Sequence, residues 1–95
     1  MNKDAGEHDN RDFANGRTVH LVRHPDQDWQ IASYDWSFVR DQVLYNPRVF
    51  AQEIGWGNEY FGTRDEAYEF VQTQFDTCTA PNTVEQVIAL KQKIA

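Results

Sequence analysis

The chain has a single cysteine, Cys78, among 95 residues, so no disulfide can form within it. No cation stands beside Cys78 in sequence to activate its thiol, and it reads as a small, partly buried residue. Long apolar runs are also absent. Nothing approaches the roughly 20 residues needed to span a bilayer. The N-terminal stretch MNKDAGEHDNRDFANG lacks the apolar segment of a signal peptide. These absences lead to the expectation of a soluble, cytoplasmic protein with no membrane association.

Positive charge is scarce. Nine Lys and Arg face fifteen Asp and Glu, for a net charge of −6. Residues 1–16 hold two Lys/Arg against four Asp/Glu, and residues 17–95 hold seven against eleven, so both parts are acidic. No basic cluster is available to neutralise phosphates, which argues against direct nucleic-acid binding and against an anionic membrane surface. Chemical signatures are missing too. There is no GxGxxG or GxxxxGK[ST] loop, no CxxC, no HExxH and no nucleophile elbow. The sequence therefore implies no cofactor and carries no positive argument for an enzyme.

Aromatic side chains are plentiful. Three Trp, four Tyr and six Phe make 14% of the chain, enough large side chains for a short polypeptide to build one core. Residues 1–16 hold one large apolar residue after Met1, Phe13, and read as a disordered acidic tail ahead of a single domain over 17–95.

Thr18–His24 alternates as a strand, with Val19 and Leu21 on one face and His20, Val22 and His24 on the other. Asp28–Tyr34 alternates as a second, with Trp29 and Ile31 opposed to Ala32 and Tyr34. Pro25-Asp26-Gln27 supplies turn chemistry between them, so 18–34 is expected as a hairpin. Residues 35–45 fit a helix through Trp36, Val39, Val43 and Leu44, with Asp35 as N-cap, and also fit strand alternation; the helix is the preferred reading. Asn46-Pro47 reads as a cap and first helical position, with Phe50 and Ile54 buried by the turns that follow and Gly55 as the stop. A loop or short third strand near 59–61 comes next.

Two C-terminal helices are the clearest elements. Thr63 and Glu66 have capping-box spacing ahead of a helix over 64–76 with the apolar stripe Ala67, Phe70, Val71 and Phe75. Thr83 and Gln86 repeat that spacing ahead of a helix over 84–94 that offers Val84, Val87, Ile88 and Ile94 to a core and ends on Lys91 and Lys93. Strands followed by helices give an α+β fold: a small antiparallel sheet with both helices on one face.

Three constellations are candidate sites. His20 and His24 share a strand face but lie about 13 Å apart at strand rise, too far to hold one ion. His24 with Asp26 or Asp28 around the turn has better geometry for a cation, yet no soft third ligand is near, so no metal site is assigned. The second is the polar face of the helix over 64–76, where Asp65, Glu69, Gln72 and Asp76 follow one another at helical spacing. Seven carboxylates and one cation, Arg64, lie between Glu53 and Glu85. The third is the aromatic loop Gly55–Phe61, in which Trp56 and Tyr60 offer contact area.

These features describe a small acidic protein-interaction module. Its contact set is Trp56, Tyr60, Asp65, Glu69 and Asp76, and its partner a protein, a basic one suiting the charge. An accessory or inhibitory protein of a mobile element or phage is one setting for such a module. The alternative is a small-ligand-binding domain or minor enzyme using the His20/His24 side of the sheet.

Overall fold

The computed structural model describes residues 6–77, 79–81 and 83–94, the side chains of Val84 and Ile94 excepted. Cys78 lies outside them, as do the side chains of Val84 and Ile94, which were expected in the core. The fold is α+β. Strands β1 (Glu7–Phe13), β2 (Arg17–Arg23), β3 (Gln30–Trp36) and β6 (Arg48–Phe50) form one antiparallel sheet in the order β1-β2-β3-β6. Strands β4 (Phe38–Arg40) and β5 (Val43–Tyr45) form a separate hairpin. Helices α1 (Arg64–Asp76) and α2 (Val84–Ile94) complete the chain.

Residues 1–16 are not a tail over their described part. Glu7–Phe13 pairs with β2 along its whole length, from Glu7 opposite Arg23 to Phe13 opposite Arg17. The connection turns on Asn15 and Gly16, at φ 65° and 77°, conformations that Asn and Gly tolerate best. A strand with so little apolar content escapes hydrophobic patterning, because its ladder bonds come from the backbone and its few anchors are long-range. Phe13 packs its ring 6.0 Å from that of Tyr68 and 5.7 Å from that of Phe75. Tyr68 donates its hydroxyl to Asp9 Oδ2 at 2.6 Å.

The expected hairpin of β2 and β3 is present, and Val19, Leu21 and Ile31 are buried. Strict alternation fails in β3. Leu21 pairs with Ile31 but Val19 pairs with Tyr34, so one extra residue of β3 lies between those pairs. This bulge brings Tyr34 onto the face of Ile31 instead of the opposite face. Tyr34 is fully buried there and donates its hydroxyl to Pro81 O at 2.9 Å. Burial pushes its phenol far above the ordinary range.

Residues 35–45 are extended, not helical. β3 continues to Trp36, and Phe38 pairs with Tyr45 across a turn at Asp41 and Gln42. The expected helix after Pro47 is likewise a strand, β6, followed by a 3-10 turn over Ala51–Ile54. Phe50 is half exposed at 50%, where burial was expected; the buried residue of β6 is Val49. Gly55 does end the turn, at φ 85°. Near 59–61 there is one bridge in place of a strand: Trp29 and Phe61 exchange backbone hydrogen bonds of 2.9 Å each way.

The helices carry the caps the sequence encodes. Glu66 N donates to Thr63 Oγ1, while Thr63 N donates to Glu66 Oε1. Gln86 and Thr83 repeat the exchange ahead of α2. The phase of α1 differs slightly from expectation. Ala67, Tyr68, Val71 and Phe75 are buried, whereas Phe70 is half-buried against Trp56 and Phe61. The core lies between α1, α2 and the sheet face bearing Val19, Leu21, Ile31, Tyr34 and Val49. The opposite face bears His20, Val22, Asp35 and Phe50; His20, Val22 and Asp35 are half-buried there, and Gly57 reaches this side, where its carbonyl accepts from Gln30 Nε2 at 3.2 Å.

Candidate functional site

The expected contact set divides on folding. Trp56 is 4% exposed, with its ring within 6.2 Å of those of Tyr34, Phe70 and Phe75. It is a core residue and presents no surface to a partner, so the expectation of an anchor at Trp56 is corrected. Tyr60, 52% exposed, is the outward aromatic of that loop.

Asp65, Glu69 and Asp76 are exposed on α1, as the spacing requires. Their charge is less concentrated than the sequence suggests. Arg11 on β1 meets Asp65 at 3.1 Å, Lys91 meets Glu53 at 3.1 Å, and Arg40 meets Glu85 at 3.3 Å. Asp76 accepts from Gln72 at 2.9 Å, and its charge partly opposes the burial that lowers the pKa of Arg17. Cations distant in sequence thus dilute the carboxylate row.

His20 and His24 are not brought together. His24 is exposed in the β2–β3 turn, beside an open recess with Glu7, Asp26 and Asp28. No group of three or more His, Cys, Asp or Glu converges on a metal-sized site among the described residues. His20 instead lies 3.0 Å from Asp35, with Nε2 donating in the tautomer that carries its proton there. Arg48 grips the same carboxylate through Nε at 2.7 Å and a second nitrogen at 3.1 Å. These bonds, Arg48 first, hold the Asp35 carboxyl below the usual carboxylate range although partial burial opposes them. A group so depressed stabilises the fold fully above its unfolded pKa of about 3.9, and that contribution is lost as pH falls through the lower folded value. Asp35→Asn should therefore cost about 1–2 kcal/mol above pH 5 and narrow its gap to wild type in acid. Melting curves from pH 2 to 7 that stay parallel would show that the cluster contributes nothing through charge.

The surface that sequence reasoning missed is the β4–β5 hairpin. Val39 is 67% exposed, Val43 49%, Leu44 70% and Tyr45 40%. Val39 and Leu44 are directly paired, so they stand on one face. Phe38 and Tyr45 share the other, stacked with centroids 5.4 Å apart. The base is fixed: Ser37 Oγ donates to Asn46 Oδ1 at 3.1 Å, Ser37 N to Gly16 O and Trp36 N to Pro47 O, each at 3.0 Å. The turn residues Asp41 and Gln42 have φ of 53° and 66°, a conformation that costs a glutamine energy. Between the hairpin and α2 lies an apolar groove of about 280 Å³, lined by Phe38, Tyr45, Pro47, Val87 and Ile88 with Lys91 and Gln92 at hand. The signal that could have found it was the polar pair Asp41-Gln42 between two apolar runs.

Comparison with protein-family models, curated proteins and solved structures finds no match to this chain.

Proposed function

We propose that this chain is a small acidic protein-interaction module whose contact surface is the β4–β5 hairpin with the groove beside α2. The observation that supports it is the exposure of Val39, Val43, Leu44 and Tyr45 on a hairpin with a fixed base. A two-stranded hairpin has little stability of its own, and apolar side chains left in water add none. Held on a braced base with a strained turn, they are suited to enter an apolar site on another protein. The net charge of −6 adds long-range attraction for a basic partner, which speeds encounter more than it tightens the complex.

Val39→Ser with Leu44→Ser tests this reading. Both side chains are mostly solvated, so the melting temperature should stay within about 2 °C of wild type. Proteins retained by the immobilised wild-type chain should be lost from the double variant. An unchanged set of retained proteins would refute the hairpin as the contact surface. A large drop in melting temperature would assign these residues to stability instead.

A further inference from the structure

We propose that the chain forms a two-fold dimer through the open edge of β1. Among the described residues β1 pairs only with β2, which leaves its other edge without a strand. An exposed edge of seven residues is a template for pairing, and proteins usually obstruct such edges with charge. Here the charges are arranged so that the strand complements itself.

Consider two copies of β1 running antiparallel about Asn10. Directly opposite residues are then Glu7 with the partner's Phe13, His8 with the partner's Asp12 and Asp9 with the partner's Arg11, and each pair occurs twice. Asn10 meets the partner's Asn10 on the axis. No like charges face each other. Sliding the register removes this property. Moving the centre to Asp9 or to Arg11 sets two aspartates or two arginines on the axis. Half-steps are closed to a ladder, because they set residues whose backbone groups face the partner against residues whose groups face β2. Opposite charges directly across an antiparallel pair attract and like charges repel, so the pattern selects one register.

The structure holds the key side chains in place for it. Asp9 accepts from Tyr68 and Arg64, and Arg11 lies 4.1 Å over the Tyr68 ring, so both stand on the helix side of the sheet. Arg11 remains 51% exposed, with donors to spare for a second carboxylate. The junction would join two four-stranded sheets at β1. β6, beside the groove proposed for partner binding, is at the opposite edge of each sheet. The dimer does not rest on that proposal, and two outward contact surfaces would give bivalent binding.

The test uses the full chain. Sedimentation equilibrium from about 5 to 200 µM should show conversion to twice the chain mass. Arg11→Glu, which sets a carboxylate against the partner's Asp9, should weaken association at least about tenfold. Because Arg11 also contacts α1, a second arm leaves it intact. In a Cys78→Ser background, Asn10→Cys should crosslink readily under mild oxidation. Opposite Cα atoms in antiparallel strands are about 4.5–5.5 Å apart, within disulfide range. Glu7→Cys should crosslink poorly, since its copies would lie about 20 Å apart at strand rise. A monomer throughout the concentration range, or equal crosslinking at both positions, would overturn the proposal.

Discussion

A chain that begins at Arg17 should be largely unfolded at 25 °C. Removing residues 1–16 deletes the strand that pairs along the whole of β2. It also takes away Phe13, whose ring packs on Tyr68 and Phe75, at about 2 kcal/mol for a partly buried aromatic. The Tyr68 hydroxyl loses its acceptor Asp9; leaving a buried donor unpaired costs about 1–3 kcal/mol. Tyr68 is 1% exposed, and burial, then the Asp9 bond, pushes its phenol well above the ordinary range, consistent with a neutral donor. Arg17, stacked 3.9 Å over Phe75 and bonded to Ala14 O at 3.0 Å, loses that carbonyl as well. These terms alone approach the roughly 5 kcal/mol at the lower end of domain stabilities. Circular dichroism and amide proton dispersion would report the loss. A truncated chain that melts within about 5 °C of the full one would mean that β1 contributes little.

Trp56→Ala should cost about 3–5 kcal/mol. The indole joins the sheet to α1, since its neighbours are Tyr34 on β3 and Phe70 and Phe75 on the helix. Its truncation leaves a cavity that Tyr34 and Phe75 cannot close without abandoning their edge-on contact with each other. Trp56→Phe should recover part of the loss, and Glu69→Gln, on the exposed face of α1, should stay within about 0.5 kcal/mol of wild type. Urea unfolding of the three variants gives the comparison. If Trp56→Ala left stability unchanged, the residue would not be part of the core.

The expected acidic surface shows how far charge can be read from a sequence. Counting carboxylates between Glu53 and Glu85 found the acidic residues correctly. It could not find Arg11, Arg40 and Lys91, which approach Asp65, Glu85 and Glu53 from outside that stretch. The neighbours of His20 were hidden in the same way. Asp35, 15 residues further along, lies beside His20, and Arg48, 28 residues further along, holds the same carboxylate, only because β3 stands between β2 and β6 in one sheet.

Helices α1 and α2, the strand pair β2 and β3, and the α+β class are legible in the amino-acid sequence. Each of these is encoded within a few residues: Thr63 with Glu66, Thr83 with Gln86, and the alternation around Val19 and Leu21. Caps and alternation act through bonds and faces that span one or two turns, so they are visible locally. The other elements depend on contacts between distant segments. β1 is a strand because β2 offers it a ladder and α1 offers Tyr68. Residues 38–45 are a hairpin because Ser37 and Trp36 are tied to Gly16 and Pro47, although the spacing of Trp36, Val39 and Val43 suits a helix equally well. Trp56 is core because rings from two distant elements, Tyr34 on β3 and Phe70 and Phe75 on α1, meet around it. Contacts between residues far apart in the chain outweigh local preferences of a few tenths of a kcal/mol per residue, which is why these elements could not be read from the sequence.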